Sequence, residues 1–368
     1  MKTDCKTSEH VRELDGVRGL AILMVLVYHM FSFRMRFQHW AGAAGLIASL
    51  TQPLWLGVDL FFVLSGFLIT GVLLDGKSQP HGLRKFFVRR ALRILPLYYL
   101  VLVVIWFFYR NSHAFVALGF VYLANVAPLF GIEMINTPLW SLSVEEHFYL
   151  GWPWVVHFLR RRTVVVIALA LCILEPAARL LAFPRDVYFY SWFRFDGLAY
   201  GALLACFIRS SYFTRERAIR IMSALSLAAL LVAGIGLPLG LGHRRNALGT
   251  ALQFFPAQLL FSALVLAAVV FSRHRGTQPL RWGVLRLAGD LSYCMYLIHM
   301  MVAGALDGWF GWRGELTFAV TALRAALIMA CTFAIALLSR SYLEMPARNS
   351  WRFFMPAAPR PELANVGR

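Results

Sequence analysis

The sequence predicts an all-α protein, a polytopic transmembrane helix bundle with about ten crossings and one re-entrant segment. Three observations predict it: composition, the recurrence of long apolar stretches, and the sidedness of the basic residues. The 368 residues are 60% hydrophobic and 15% charged, whereas soluble domains are roughly 45–50% apolar and about 25% charged. Apolar stretches close to the ~20 residues that cross a hydrocarbon core of about 30 Å recur at 14–32, 54–74, 88–109, 140–159, 163–182, 191–208, 218–241, 250–272, 286–305 and 317–339. An eleventh lies at 113–130. They follow one another so closely that no soluble domain of useful size fits between them. The first begins at Leu14, contains Arg18 and lacks a small-residue cleavage site after it, so no signal peptide is expected.

Sidedness decides how the eleventh stretch is read. If ten segments cross and 113–130 does not, 26 of the 36 basic residues fall on one side, seven on the other, and three (Arg179, Arg194, Arg324) inside segments. Such asymmetry marks the cytoplasmic side, and it puts both termini there. Letting 113–130 cross would move Arg160, Arg161 and Arg162 outside and reverse every later loop, so that stretch is expected to be re-entrant or to lie along the surface. The formal net charge of +18 is then explained by topology and anionic lipid headgroups, and no nucleic acid is implied. Residues 1–13 and 347–368 are expected to be cytoplasmic ends flanking a transmembrane domain over 14–346. The five cysteines show no CxxC and no pairing with histidine, and are read as small buried apolar side chains; no metal is expected.

Polar residues inside apolar segments are costly and mark sites or partners. In the first segment Arg18 and His29 are eleven residues apart, three full helical turns, so both project from one face about 16 Å apart along the axis. The second segment carries Asp59 near its outer end, and Ser65-Gly66, where helices can pack closely. Arg90 and Arg93 share a helical face at the membrane boundary. Two guanidinium forks there suit phosphate groups, although basic anchoring alone would account for them equally well. Trp140-Ser141-Leu142-Ser143-Val144-Glu145-Glu146-His147 brings two carboxylates and a histidine about two turns into a segment entered from outside. Counting residues, Glu145, His29, His299 and Asp196 reach similar depth. A layer of imidazole and carboxylate groups suits general-base chemistry or a proton relay, and a purely structural network remains the plainer alternative.

In this order the motifs resemble those of the acyltransferase 3 family of bacterial membrane O-acyltransferases. The resemblance runs from about Leu14 to Pro346 and rests on Arg18-x10-His29, Asp59-Leu60-Phe61-Phe62-Val63-Leu64-Ser65-Gly66-Phe67, Arg90-x-x-Arg93, Trp140-Ser141-Leu142-Ser143-Val144-Glu145 and Tyr296-Leu297-x-His299. It implies a bundle of about ten helices in the bacterial cytoplasmic membrane. The implied donor is an acyl-CoA, usually acetyl-CoA, arriving from the cytoplasm. The implied acceptor is a hydroxyl of a cell-envelope glycan or a secreted small molecule. His29 becomes the expected catalytic base with Arg18 as its functional partner, and Arg90 and Arg93 the residues that handle the donor. Glu145 would orient His29, with Asp59, Ser65, Asp196 and His299 as a supporting polar layer. Position 147 is often Gln in the family and is His here, so His147 receives no transferred role. The competing class is a proton-coupled transporter or flippase of an envelope precursor. Acceptor identity, acyl length and oligomeric state are not read from the residues.

The topology is directly testable: cysteines placed at 160–162 should be labelled from the cytoplasmic side, and labelling of that loop from outside intact cells would overturn the ten-crossing arrangement.

Overall fold

The computed structural model describes residues 11–32, 40, 42–236, 238–240 and 246–354, and no strand occurs among them. Helix α1 (Arg12–Val27) runs straight into a π-helical turn, Tyr28–Ser32. A short α2 (Gly42–Thr51) leads through a 3-10 turn into α3 (Gly57–Gly76), and α4 (Gly82–Phe108) follows. After α5 (His113–Phe120) and the 3-10 turn Ala124–Phe130 come α6 (Leu139–Phe158), α7 (Arg161–Ala182), α8 (Phe195–Ile208) and α9 (Arg215–Gly236). The chain finishes with α10 (Ala247–Leu252), α11 (Phe255–Val270), α12 (Gly283–Phe310), α13 (Phe318–Ser339) and α14 (Met345–Asn349). A 3-10 turn, Ser350–Phe354, continues α14. The expected terminal segments 1–13 and 347–368 lie mostly outside the described residues.

Each of the ten expected segments coincides with helix over most of its length. Seven helical stretches among the described residues are long and apolar enough to cross a membrane. The segments around α6, α8 and α12 fall short of that test. With 14 residues, α8 covers only about 21 Å. Helices α6 and α12, with 20 and 28 residues, are long enough. Their apolar character is diluted by Ser141, Ser143, Glu145, Glu146 and His147 in one, and Asp290, Ser292, Tyr293, Tyr296 and His299 in the other. Stretch 113–130 breaks into two pieces. Its eight-residue helix spans about 12 Å, far short of the hydrocarbon core. It leans on α4 instead: the Tyr98 hydroxyl donates to the Gly119 carbonyl at 2.7 Å, and the Tyr98 and Tyr122 rings stack at 4.4 Å.

Helix ends meet at one pole, called here the basic end. Arg209 grips Asp75 through two bonds of 2.7 and 2.6 Å, and Arg161 donates to the Arg209 carbonyl. Lys77 Nζ donates to the carbonyls of Val156 and Leu159, at 2.9 and 2.6 Å, where α6 ends. A cation there satisfies carbonyls that have no partner inside the helix. Glu13 accepts from the Arg273 backbone N–H at 2.6 Å, which ties the start of α1 to the end of α11.

Two helix pairs approach so closely that only glycine fits. A Cβ at Gly66 would stand 1.9 Å from the Leu198 carbonyl oxygen, and one at Gly201 would stand 2.0 Å from that of Val63, joining α3 to α8. Between α1 and α12, a Cβ at Gly19 would lie 1.9 Å from the Leu285 oxygen and one at Gly289 2.0 Å from that of Asp15. Small residues that let backbones touch are the usual means of holding helices together where lipid competes for every apolar surface. Substitution Gly201→Leu should force α3 and α8 apart, with a cost at or above the ~1–3 kcal/mol of ordinary overpacking. Thermal unfolding in detergent should show a clear loss of stability, whereas Gly304→Leu, with open space around its Cβ position, should change little.

Candidate functional site

Helices α1, α3, α4, α6 and α12 enclose a cavity of about 150 Å³. Its lining includes Arg18, Ser65, Arg90, Arg93, Ser141, Glu145, Tyr149, Ser292, Tyr293 and Tyr296, among apolar residues such as Val58, Phe61 and Phe62. The guanidinium groups stand toward the basic end because Arg18 lies in the second turn of α1 and Arg90 and Arg93 in the third and fourth of α4. From Val58 to Ile69 on α3 the wall extends about 17 Å, so the cavity runs deep into the bundle from its cationic end.

The three arginines are not equivalent. Arg90 Nη2 donates to Glu146 Oε1 at 2.7 Å, and its guanidinium lies 3.2 Å above the centre of the Tyr149 ring. Arg18 has Asp15 at 3.7 Å. Arg93 makes no ion pair among the described residues, and its charged neighbours include Arg18, Arg90 and Arg348. The arginine pair that shares a face in the sequence is therefore divided, with one guanidinium held by a carboxylate and a ring and the other presented to the cavity.

Glu145 is held by Ser65 Oγ, which donates to Oε1 at 3.0 Å, and by the Tyr149 hydroxyl, which donates to Oε2 at 3.1 Å. Tyr149 sits at i+4, a spacing visible in the sequence. His29, at the head of the π-turn, uses Nδ1 toward the Val25 carbonyl at 2.9 Å, and that nitrogen also lies 3.3 Å from His299 Nε2. The orienting bond expected between Glu145 and His29 is absent. Equal depth did not bring them together, because the azimuth of α6 turns the carboxylate onto α3 while α12 brings His299 to His29. The two imidazoles sit one turn beyond Tyr296, which lines the cavity; the rings of Tyr296 and His299 are 5.9 Å apart. The Tyr296 hydroxyl and Ser141 Oγ are 2.5 Å apart across α12 and α6. On the far side of His29, Arg324 forms two bonds to Asp307 at 2.5 and 2.7 Å and reaches the Met30 carbonyl at 3.5 Å. That carbonyl belongs to the π-turn. π-turns occur most often at functional sites, and no residue pattern announced this one.

Asp59 and Asp196 belong to a separate buried network rather than to a layer with His29. Arg194 Nη2 donates to Asp59 at 3.1 Å, and its guanidinium lies 3.6 Å from the centre of the Phe254 ring. Arg179 donates to Asp196 at 2.7 Å, to the Phe193 carbonyl at 2.7 Å and to the Ala251 carbonyl at 3.0 Å. Glu175 accepts from the Asp196 backbone N–H at 2.8 Å. Arg179, Arg194 and Arg324, the three basic residues inside apolar segments, were the signal for these pairs. His147 Nδ1 lies 2.6 Å from Ser191 Oγ, which also accepts from Asn125 at 2.9 Å. That contact ties α6 to the turn before α8. Among the described residues, no group of three His, Cys, Asp or Glu side chains could hold a metal ion.

A family model described as an acyltransferase domain matches residues 11–340. Curated relatives include a peptidoglycan O-acetyltransferase OatA of Listeria monocytogenes, 27% identical over 95% of this chain and 57% of the relative. An O-acetyltransferase OatA of Staphylococcus aureus is 25% identical over 91% of this chain and 57% of its own length. A putative peptidoglycan O-acetyltransferase YrhL of Bacillus subtilis is 32% identical over 45% of this chain and 28% of its own. The chain thus spans little more than half the length of the relatives it matches most fully. No solved structure matches it.

The buried network gives a stability test. Removing Asp196 leaves the Arg179 guanidinium, fully buried, without its carboxylate, at a cost of about 3–5 kcal/mol. Asp196→Ala should therefore lower the unfolding temperature sharply. Asp75→Ala removes a partner that is 41% exposed, and should cost under about 1 kcal/mol.

Proposed function

This chain belongs to the acyltransferase family whose model spans residues 11–340, and from that membership we propose that it is a multi-pass membrane O-acyltransferase. The reaction is transfer of an acyl group, taken to be acetyl, from acyl-CoA to a hydroxyl of a cell-envelope glycan. The names of the relatives, peptidoglycan O-acetyltransferases, support the acyl group and the acceptor class. The basic end is taken as the cytoplasmic end, with both termini there, in the bacterial cytoplasmic membrane.

The observation that carries the donor assignment is the cluster of Arg18, Arg90 and Arg93 at one end of a deep cavity. Like charges so close inside a bundle are costly; Asp15, Glu145 and Glu146 offset that cost, while Arg93 makes no ion pair of its own among the described residues. The Arg93 guanidinium is left to bind a ligand anion, and guanidinium forks match phosphate oxygens in charge and shape. CoA phosphates at the arginines would direct the thioester along the cavity toward Ser141 and Tyr296, with the two imidazoles a turn beyond.

In the proposed chemistry His29 takes the proton of the acceptor hydroxyl as its oxygen attacks the thioester carbonyl. The C–S bond breaks, the proton passes to the departing sulfur, and an O-acyl ester and free CoA result. Glu145, held by Ser65 and Tyr149, faces the donor rather than His29. Its proposed role is to fix the cavity wall and balance the arginine charge.

His29→Ala should reduce acyl transfer at least about 10²-fold while leaving membrane insertion and acyl-CoA binding intact. Arg90→Gln combined with Arg93→Gln should weaken acyl-CoA binding in a direct assay. Wild-type transfer by a correctly inserted His29 variant would remove the base assignment, and unchanged affinity in the arginine variant would reduce that pair to topology signals.

A further inference from the structure

The hydrogen bonds around the two imidazoles fix which nitrogens carry protons. A carbonyl oxygen only accepts. His299 Nδ1 stands 2.8 Å from the Tyr296 carbonyl and 3.2 Å from that of Met295, so in the neutral ring the proton is on Nδ1 and the lone pair on Nε2. His29 Nδ1 stands 2.9 Å from the Val25 carbonyl, so it too carries its proton there. The His299 lone pair is then directed at the His29 Nδ1–H across 3.3 Å, with ring centroids 4.9 Å apart. The single His29 Nδ1 proton is thus shared between the nearer Val25 carbonyl and the His299 lone pair.

We infer that His299 is a positioning residue that, together with the Val25 carbonyl, holds His29 as the Nδ1–H tautomer, so that Nε2 is the nitrogen offered to the acceptor hydroxyl. The inference rests on the reading of His29 as the base. When Nε2 takes a proton, the Nδ1–H becomes a stronger donor and the neutral His299 remains its acceptor. The role resembles that of the carboxylate behind a catalytic histidine, which sets tautomer and orientation and stabilises the imidazolium. An imidazole performs it without a second charge to bury in the bundle. His299 is fully buried, and both of its own Nδ1 contacts lie within α12, so α12 dictates its orientation.

The test uses the full-length protein in detergent or lipid discs, with ¹⁵N-labelled histidine and assignment by single-site substitution. The wild type should show a protonated Nδ1 and a bare Nε2 at His29 in its neutral form. In His299→Leu the Val25 carbonyl remains as an acceptor, so the Nδ1–H form of His29 should lose population to the Nε2–H form without disappearing. The turnover number should fall roughly 10–100-fold, the range seen when partners that orient functional histidines are lost, with KM for acyl-CoA unchanged. His299→Gln, whose amide oxygen can supply the acceptor, should restore both tautomer and turnover in large part. A wild-type spectrum with the proton on His29 Nε2 would overturn the inference, whatever the variants do. So would an unchanged His29 spectrum in His299→Leu, or a changed spectrum with undiminished turnover. Failure of the base reading is separable, because it would appear as full activity in His29→Ala while the tautomer measurement stood.

Discussion

A charged side chain inside an apolar bundle has to meet its counter-charge within the protein or from a ligand. Arg179 meets Asp196, Arg194 meets Asp59 and Arg324 meets Asp307, and each pair joins segments distant in the chain or holds a turn in place. Arg18 and Arg90 follow it only in part, with Asp15 at 3.7 Å and Glu146 at 2.7 Å, and Arg93 departs from it. They converge on one cavity, and Arg93 has no ion pair among the described residues. The contrast separates arginines whose guanidinium is wholly committed within the fold from arginines that line the cavity. It accounts for the cavity's polarity, cationic at the basic end and lined by hydroxyls further in.

Much of the fold could be read from the sequence, because hydrocarbon thickness and loop charge act on each segment alone. The ten apolar segments are helical over most of their length, and stretch 113–130 is divided between an eight-residue helix and a 3-10 turn. The interruption of apolar character by Ser141, Glu145, Tyr296 and His299 marked the two helices that build much of the site. Segment depth was legible for the same reason, since residue count along a helix converts directly to ångströms.

Azimuth was not. Counting residues places His29, Glu145, Asp196 and His299 at one level, but it says nothing of which way each helix is turned or which helices are neighbours. The structure resolves that level into separate environments: a pair of imidazoles, a carboxylate held by Ser65 and Tyr149, and an aspartate committed to Arg179. The contact of Ser65 with Glu145 and the placing of Arg18 beside Arg93 on one cavity were likewise not readable from spacing. The partnership of His29 with His299 needed the α1–α12 crossing, and that crossing is set by glycines at positions 19 and 289, for which spacing alone supplies no pairing rule.

The same crossing limits how the cavity can change shape. With backbone carbonyls against Gly19 and Gly289, α1 and α12 cannot slide past each other without collision, so the two imidazoles travel as one rigid block. The facing wall is built differently. Helix α4 contains Pro96, which removes a backbone hydrogen bond one turn beyond Arg93 and leaves a point at which a helix bends. Widening or narrowing of the chamber is thereby assigned to the wall that holds Arg90 and Arg93. The half of the chamber that carries the imidazoles is thus stiff, and compliance falls to the proline-bearing helix opposite.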